Sequence, residues 1–304
     1  MKILVTGGAG FVGSHIVDKL SELNYQVVVV DNLATGKHEY IKPGIRFYPM
    51  DLRNWELEQI FQIEKPDVVI HQAAQVSVQK SMKAPLKDCS VNVMATINLL
   101  DCCVKYNVRK IIYASSAAVY GPAAKLPINE QETVSPMSFY GLSKLTSEQY
   151  IQAYSRLYPL EFTILRYANI YGPRQNTQGE AGVIALFVQQ FINDENIVIY
   201  GDGTQTRDFV YVEDVVNANI AALNNGNNHI YNIGTNQETS INKVFNTIKE
   251  QGDQTLQCNY RPKQPGDIER SCLLNKKALN DLKWKPSTSL EKGIIKVIED
   301  FSKS

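Results

Sequence analysis

The sequence predicts an α/β protein in which a doubly wound parallel sheet is followed by a second, smaller C-terminal lobe. Three observations predict this fold. Short β-branched runs alternate with longer amphipathic stretches through the first half of the chain, which is typical of a parallel sheet covered by helices. A glycine-rich turn directly follows the first run. After residue 167, Gly and Pro interrupt the chain and the helical stretches become shorter.

Six strands and four helices are predicted in the first part of the chain. The predicted strands cover residues 2–6, 26–31, 45–48, 67–71, 110–115 and 161–166. The predicted helices cover residues 12–23, 55–63, 86–106 and 143–157. Such a succession describes a Rossmann sheet. We therefore expect a first domain over residues 1–167 and a second lobe over 168–304, with a later strand at 230–233 returning to the first sheet.

The composition argues against several classes of protein. Because 31 Lys plus Arg balance 31 Asp plus Glu and no basic run occurs, nucleic acid is not an expected partner. No signal peptide pattern is present, and no apolar stretch approaches the roughly 20 residues that cross a bilayer. A cytoplasmic protein without a membrane partner is expected. The five cysteines show no CxxC spacing, so neither a disulfide scaffold nor a metal site is predicted.

The glycine-rich turn has the features of a dinucleotide site. Gly7, Gly10 and Gly13 lie where backbone N–H groups and the positive end of the first helix can face a pyrophosphate. Asp31 follows Gly13 by 18 residues, and its carboxylate can accept both ribose hydroxyls while repelling a 2′-phosphate. This pattern favours NAD over NADP and makes residues 1–167 the NAD-binding domain. Further adenosine contacts are expected from Asn32, Thr35, Asp51 and Leu52. The alternative interpretation is a tight turn with a surface aspartate.

A phenol and an ammonium, on Tyr140 and Lys144, stand four residues apart at the start of a predicted helix and project from one face. Ser115 and Ser116 lie just past the fifth strand, at the edge where such a sheet holds its ligand. A tyrosine of pKa about 10 is a poor base at neutral pH. Two close cations, Lys144 and an oxidised nicotinamide, would favour phenolate, and lowering the pKa by roughly 3 corresponds to about 4 kcal/mol.

This constellation predicts oxidation of a secondary alcohol, with Tyr140 as the base and Ser116 holding the substrate oxygen. Each residue also has a simpler interpretation, because Tyr140 could be an ordinary helix aromatic and Lys144 a solvated charge. His71 ends the fourth strand, and we expect it to be a packed structural residue.

Seven motifs, in their order and spacing, resemble those of the extended short-chain dehydrogenase/reductase family and, within it, of the UDP-glucose 4-epimerases. They are TGGAGFVG at 6–13, DNL at 31–33, HQAA at 71–74, SSAAVYG at 115–121, YGLSK at 140–144, RYAN at 166–169 and RDF at 207–209. The resemblance covers essentially the whole chain. It implies a tightly held NAD and inversion of C4 of a UDP-sugar, UDP-glucose or UDP-galactose, through a 4-keto sugar that rotates in the pocket.

The resemblance also implies roles for individual residues. The implied catalytic residues are Ser116, Tyr140 and Lys144. The expected cofactor contacts are Gly7, Gly10, Phe11, Val12, Gly13, Asp31, Asn32, Thr35, Gly36, Asp51, Leu52, Ala73, Asn92, Tyr140, Lys144 and Tyr167. The expected substrate contacts are Ser116, Tyr140, Asn169, Arg207, Asp267 and Ser271. In the resemblance, the helix over 86–106 and the helix after Tyr140 form a four-helix contact, so a homodimer is expected.

Four positions separate this chain from relatives. Nucleotide-sugar 4,6-dehydratases carry an Asp-Glu pair, and UDP-glucuronate decarboxylases a Glu, where this chain has Ala117-Ala118, so water elimination would lack its acid and base. Gln264 stands where the family often has Arg, and Arg261 or Arg270 could supply that charge. Ser271 stands where epimerases restricted to glucose and galactose tend to carry Tyr, which predicts that N-acetylated sugars are accepted too.

Two alternative functions remain open at this point. The first is another nucleotide-sugar enzyme of the same fold, such as a C3/C5 or uronate epimerase or a net oxidoreductase. The second is an NAD-binding regulator that kept the fold without the chemistry. The presence of Ser116, Tyr140 and Lys144 together argues against the regulator, which has no use for the whole set.

Overall fold

The computed structural model describes residues 1–123, 125–177, 182–252, 257–263 and 268–303. The strands within these segments are β1 (Lys2–Thr6), β2 (Gln26–Asp31), β3 (Arg46–Pro49), β4 (Val68–His71), β5 (Lys110–Ser116), β6 (Glu161–Tyr167), β7 (Asn169–Tyr171), β8 (Ile197–Tyr200), β9 (Thr206–Arg207), β10 (Phe209–Tyr211), β11 (His229–Ile233), β12 (Thr239–Ser240) and β13 (Cys258–Arg261). Seven of them form one parallel sheet in the order β11-β6-β5-β4-β1-β2-β3. The order reverses between β1 and β4, which places the ligand crevice at the carboxyl ends of these two strands.

Helices cover both faces of this sheet and build the second lobe. They are α1 (Phe11–Glu22), α2 (Leu57–Glu64), α3 (Val78–Lys83), α4 (Pro85–Cys89), α5 (Ala95–Lys105), α6 (Phe139–Leu157), α7 (Val183–Ile192), α8 (Val212–Ala222), α9 (Ile241–Lys249), α10 (Lys276–Asp281) and α11 (Leu290–Phe301). A π-helical turn, Ser90–Met94, joins α4 to α5. None of the helices in the described segments combines the length and the apolar character that a membrane crossing requires.

Local sequence explains where several of these elements begin. All four residues of β4 are buried, as expected of a central strand covered on both faces. Four helices, α3, α6, α9 and α11, are preceded by a serine whose hydroxyl accepts a hydrogen bond from the backbone N–H three residues later. Such a cap contributes about 1 kcal/mol. The cap before α6 is Ser138, so Tyr140 lies in the first turn of that helix.

Apolar side chains form one core layer on each face of the sheet. On one face α1 and α8 pack against the strands, with Ile16 and Val215 among the fully buried residues. On the other face α2, α5 and α6 pack through residues such as Leu99 and Ile151. The second lobe has its own core between α7, α9 and α11. Fully burying a side chain of this size stabilises the fold by about 1.5–3 kcal/mol.

The fold class predicted from the sequence is confirmed, and the six predicted strands all occur within one residue of their expected ends. The strand expected at 230–233 is β11, and it pairs with β6 at the edge of the sheet. The chain returns more extensively than expected, because α8 and the segment carrying Trp284 also pack into the core on the α1 face. A domain boundary after residue 167 therefore does not divide the chain cleanly, because later elements also contribute to the central sheet and its core.

Candidate active site

The glycine-rich loop lies against the end of β4. Gly7 has a φ of 68°, and a Cβ on this residue would approach the backbone nitrogen of Ala73 to 2.6 Å. Only glycine permits this conformation and this contact. The loop then enters α1 at Gly10, whose carbonyl accepts the first helical hydrogen bond, from Ser14, at 3.0 Å. Ala73 and Gly13, both expected to line the cofactor, thus lie in or beside one turn at a helix N-terminus.

The carboxylate of Asp31 faces the same loop from the end of β2. Its Oδ2 accepts a hydrogen bond from the backbone N–H of Ala9 at 3.0 Å, and its Oδ1 accepts one from Leu33 at 2.8 Å. The segment containing Thr35 and Gly36 folds back onto the loop, because the N–H of Lys37 donates to the carbonyl of Ala9. Two backbone donors therefore fix the carboxylate while leaving acceptor sites for a ribose diol.

Asp51 and Leu52 follow β3 and complete this end of the crevice. The Asp51 carboxylate accepts hydrogen bonds from Arg53 and from the amide of Asn32, and the contacts with Arg53 hold its pKa well below the usual value. Leu52 is buried in the core, while Phe11 and Val12 at the start of α1 pack against the core of the second lobe. A glycine loop at a helix start, with a fixed carboxylate across from it, fits NAD.

The catalytic segment is built where the first turn of α6 packs on the turn that follows β5. Ser116 ends β5, and its hydroxyl accepts a hydrogen bond from the N–H of Ala118 at 3.1 Å. A Cβ on Gly141 would lie 2.5 Å from the carbonyl oxygen of Ala118, so only glycine allows the two segments to approach this closely. Tyr140, half-buried beside Gly141, is thereby brought to the turn that carries Ser116.

Lys144 lies one helical turn further along α6 and is only 3% exposed. Its ammonium donates a hydrogen bond to the carbonyl of Ala114 at 2.8 Å. The Nζ lies 5.0 Å from the ring centre of Tyr113 and 6.0 Å from that of Tyr140. Burial lowers the pKa of Lys144 to about 8, although the charges of Asp88 and Glu148 raise it. The expected ammonium is therefore buried beside the ring of the half-buried Tyr140.

A buried ion pair behind α6 was not predicted from the sequence. Arg166, at the end of β6, donates two hydrogen bonds to the carboxylate of Glu148, from Nε at 2.9 Å and from Nη2 at 2.6 Å. The hydroxyl of Ser115 donates to the same carboxylate, and the guanidinium stacks 4.8 Å from the ring centre of Tyr120. Removing one partner of such a pair costs about 3–5 kcal/mol, so the network fixes α6 against β5 and β6. The i+4 spacing from Lys144 to Glu148 indicates that these two side chains share a helix face, but it does not identify Arg166 as the partner of Glu148.

Three further side chains near the crevice are held by the protein itself. Asn92 is 2% exposed and donates to the carbonyl of Gln75 and to the hydroxyl of Ser143, both at 3.0 Å. The hydroxyl of Tyr167 accepts hydrogen bonds from two amides on the α1 and α8 face of the sheet. The cofactor contacts of Asn92 and Tyr167 stay predictions. His71 is buried between two threonine hydroxyls, and burial lowers its pKa to about 3, as expected of a structural residue.

The second lobe brings three expected substrate residues to one edge. Asn169 begins β7 and lies opposite Phe209 of β10 in a parallel pair, and Arg207 ends β9, two residues before Phe209. The N–H of Ser271 donates to the carbonyl of Thr206 at 3.2 Å, which places Ser271 beside Arg207. A neighbouring groove of about 360 Å³ is lined by Gly201, Asp202, Thr204, Gln205, Lys263, Glu269 and Arg270. Asp267 and Gln264 lie outside the described residues.

A small apolar cluster connects this edge with the catalytic turn. Val119 and Tyr120 pack with Ile128 and Leu273 in a fully covered group. Ile128 also exchanges backbone hydrogen bonds with the segment around Leu273, at 2.8 and 2.7 Å. Because Leu273 follows Ser271 by two residues, the position of Ser271 is fixed relative to the turn after Ser116.

Comparison with known proteins identifies the family to which this site belongs. The sequence profile of the NAD dependent epimerase/dehydratase family matches residues 3–234. The chain belongs to the NAD-dependent epimerase/dehydratase family. A putative UDP-glucose 4-epimerase of Methanocaldococcus jannaschii is 48% identical over 297 residues, which cover 97% of each chain.

Two solved structures of epimerases are similar to this chain over its full length. One is UDP-glucose 4-epimerase with UDP-glucose from Thermotoga maritima, at 43% identity and a TM-score of 0.98, covering 100% of this chain and 99% of that one. The other is UDP-N-acetylglucosamine 4-epimerase from Methanobrevibacter ruminantium M1 in complex with UDP-N-acetylmuramic acid, at 35% identity and a TM-score of 0.94, covering 99% and 97%.

Membership in the epimerase/dehydratase family confirms the resemblance drawn from the seven motifs, and the family is that of the extended short-chain dehydrogenases. The chain is an NAD-dependent 4-epimerase, which is an isomerase. The role of each individual site residue stays a prediction that the geometry above supports. Sequence reasoning did not find Asp88, Glu148 or the ion pair of Arg166, whose contacts join separate elements.

Proposed function

We propose that this protein interconverts UDP-glucose and UDP-galactose by transient oxidation at C4, and that it also accepts the N-acetylated pair. The observation that carries the proposal is the convergence of Ser116, Tyr140 and Lys144 at the carboxyl ends of the central strands, beside a glycine loop and Asp31. A base next to a dinucleotide crevice is the arrangement that removes a hydroxyl proton while hydride leaves the same carbon.

Each catalytic side chain has a separate task in this proposal. Ser116 holds the 4-hydroxyl of the sugar, and Tyr140 takes the hydroxyl proton. Lys144, buried and positively charged, stabilises the phenolate of Tyr140 in a low-dielectric site. NAD, when bound, accepts hydride from C4 and can return it. The keto sugar then rotates so that hydride returns to the opposite face of C4, while Tyr140 gives the proton back to the C4 oxygen, and no net oxidation or reduction takes place.

The second lobe supplies the diphosphate site in the proposal. Arg207 can meet a diphosphate as a forked cation, with Asn169 next to it. Lys263 and Arg270 line the adjoining groove and are paired with Glu269 and Glu238, respectively. UDP-glucose is bound by the Thermotoga maritima relative, which supports a UDP-sugar as the substrate.

We assign to Ser271 the ability of the site to accept both plain and N-acetylated sugars. Its side chain is small and half-buried, and its backbone is tied to the segment that carries Arg207. A serine here leaves room for a 2-acetamido group that a tyrosine would exclude. The Methanobrevibacter ruminantium relative, a UDP-N-acetylglucosamine 4-epimerase, supports acceptance of such sugars.

A homodimer is part of the proposal. Large apolar side chains are exposed along α4 to α5 and along α6, at Leu86 (87%), Met94 (58%), Leu142 (48%) and Tyr150 (41%). Within each helical stretch the two residues are eight positions apart, about two turns. An unpaired apolar stripe on two adjacent helices favours a four-helix contact with a second copy.

Product analysis tests the proposed function. The purified protein is incubated with UDP-glucose, and in parallel with UDP-N-acetylglucosamine, and the products are followed by proton NMR. We expect the galacto epimers to form without accumulation of reduced cofactor, and Tyr140→Phe to lose at least about 100-fold in kcat while retaining NAD. The proposal would be refuted if neither sugar gave a C4 epimer, or if the Phe variant turned over at the wild-type rate.

A further inference from the structure

Asp88 is a buried carboxylate that the proposed mechanism does not use. It lies in α4 and is 1% exposed. Its Oδ1 accepts hydrogen bonds from the side-chain amides of Gln75 at 2.8 Å and Asn92 at 3.2 Å. Its Oδ2 is buried and has no hydrogen-bond partner among the described residues. Within the same residues no Lys, Arg or His forms a salt bridge with it, although an uncompensated buried charge is costly.

A chain of hydrogen bonds leads from Asp88 to Ser143, the residue before Lys144. Asn92, which donates to Asp88, also donates to the hydroxyl of Ser143 at 3.0 Å, and Ser143 immediately precedes Lys144. The helices α4 and α6 pack against each other at this point. The carboxylate and the ammonium are both buried where these two helices pack, and the charge of Asp88 acts there on the ammonium more strongly than it would at the surface.

Asp88 differs from the other carboxylate that faces Lys144. Glu148 lies on the same helix, but its charge is balanced by the two hydrogen bonds from Arg166. In the part of the chain that the structure describes, the other titratable groups around the ammonium are Tyr140 on α6, Tyr113 on β5 and His71 on β4. Burial and the charge of Lys144 keep His71 neutral at physiological pH, because they lower its pKa to about 3. Of the two carboxylates, Asp88 is thus the one whose charge no salt bridge balances among the described residues, and its charge acts on Lys144 through space.

We propose that Asp88 is a positioning residue whose charge keeps Lys144 protonated in the closed site, so that Lys144 can stabilise the phenolate of Tyr140. This inference rests on the proposed function. A relay of protons to solvent is not required, because an epimerase returns to the substrate the proton that it removed. The carboxylate of Asp88 therefore acts through its charge alone, and its unpaired oxygen does not have to pass a proton to another group.

The need for such a charge follows from the burial of Lys144. Burial lowers the pKa of Lys144 to about 8 even with both carboxylates present. Without Asp88 the pKa falls further, and a growing fraction of Lys144 is neutral at and above neutral pH. Activity at acidic pH is limited by protonation of Tyr140. Removing a nearby negative charge favours the phenolate of Tyr140, so activity on the acidic side is not expected to fall. Only the alkaline limb is expected to lose activity.

The substitution Asp88→Asn isolates the charge. The amide oxygen of Asn can still accept the hydrogen bonds from Gln75 and Asn92, while its nitrogen replaces the unpaired oxygen. We expect the alkaline limb of kcat against pH to move down by about one pH unit, so that kcat at pH 9 falls about tenfold while kcat at pH 6 is unchanged. KM and the amount of bound NAD are expected to stay as in the wild type.

A second readout does not depend on turnover. The NAD-bound protein is labelled with [13Cε]lysine, and the Lys144 signal, identified by its loss in Lys144→Met, is titrated in the wild type and in Asp88→Asn. The midpoint is expected to fall by about one pH unit in the variant. Asp88→Ser removes the same charge and is used if the Asn variant does not fold. Glu58→Gln, which removes an exposed carboxylate of α2, is the matched control and is expected to move neither readout.

The two outcomes are distinct. An unchanged Lys144 midpoint in both Asp88 variants, or a loss of kcat that is equal at all pH values, overturns the inference and leaves Asp88 a purely structural residue. If the wild type epimerises no UDP-sugar, the proposed function fails, whereas the titration still decides whether Asp88 controls the charge of Lys144.

Discussion

At the scale of residues, the site combines side chains brought together by their spacing in one element with side chains brought together by packing between elements. Tyr140 and Lys144 are four positions apart, so helical geometry alone places them on one face. Asp31 and the glycine loop follow consecutive strands whose ends meet at one edge of a parallel sheet. By contrast, Arg166 and Glu148 pair across 18 residues, and Asp88 reaches Lys144 from a different helix. No spacing in the sequence distinguishes these contacts from those of surface charges.

Ser271 gives the prediction that belongs to the residue scale. Replacing Ser271 with Tyr fills the space assigned to a 2-acetamido group. We expect kcat/KM for UDP-N-acetylglucosamine to fall about 10- to 100-fold, and kcat/KM for UDP-glucose to change less than about threefold. Parallel initial-rate measurements with both sugars check this. Ser271→Ala is the control and should leave both values near those of the wild type. An unchanged preference in the Tyr variant would remove the argument for Ser271 as a gate.

At the scale of elements, the helix predicted over 86–106 is divided in the structure. It begins at Pro85, passes through the π-helical turn Ser90–Met94 and continues as α5 to Lys105. A π turn inserts one residue relative to an α-helix and re-aims the side chains near it. Asn92 lies in this turn and is directed inward to Gln75 and Ser143. Apolar periodicity predicts the existence of the helix but does not reveal a single inserted residue.

The exposed apolar stripe on these helices gives a prediction about assembly. The double variant Leu86→Glu with Met94→Glu places two like charges at the proposed contact between copies. We expect the wild type to have twice the chain mass of 34.2 kDa in sedimentation or light-scattering measurements, and the double variant to have the mass of one chain.

The control for assembly is Ile63→Glu, because Ile63 is a similarly exposed apolar residue (63%) on α2, outside the two helices. This variant should remain dimeric. A monomeric wild type would contradict the dimer, and a double variant that stays dimeric would show that the contact is made elsewhere.

At the scale of the whole molecule, the chain is more interwoven than its sequence indicates. The glycine and proline residues after residue 167 mark a real change of architecture, since β7 and β10 form a separate sheet and α7, α9 and α11 a separate core. Yet β11 returns to the central sheet and α8 packs beside α1. A strand pattern at 230–233 is visible in the sequence, but its partner is chosen by tertiary packing. The consequence is that substrate residues and catalytic residues are held on one connected framework.

The central claim is that the sugar is oxidised at C4 and that the same hydride returns to the same carbon while Tyr140 holds the hydroxyl proton. The most direct measurement uses UDP-glucose carrying deuterium at C4, with product UDP-galactose analysed by NMR and mass spectrometry. The account predicts that the product keeps its deuterium at C4, with no exchange into ordinary water. Loss of the label to solvent, or its appearance at another carbon, would contradict it.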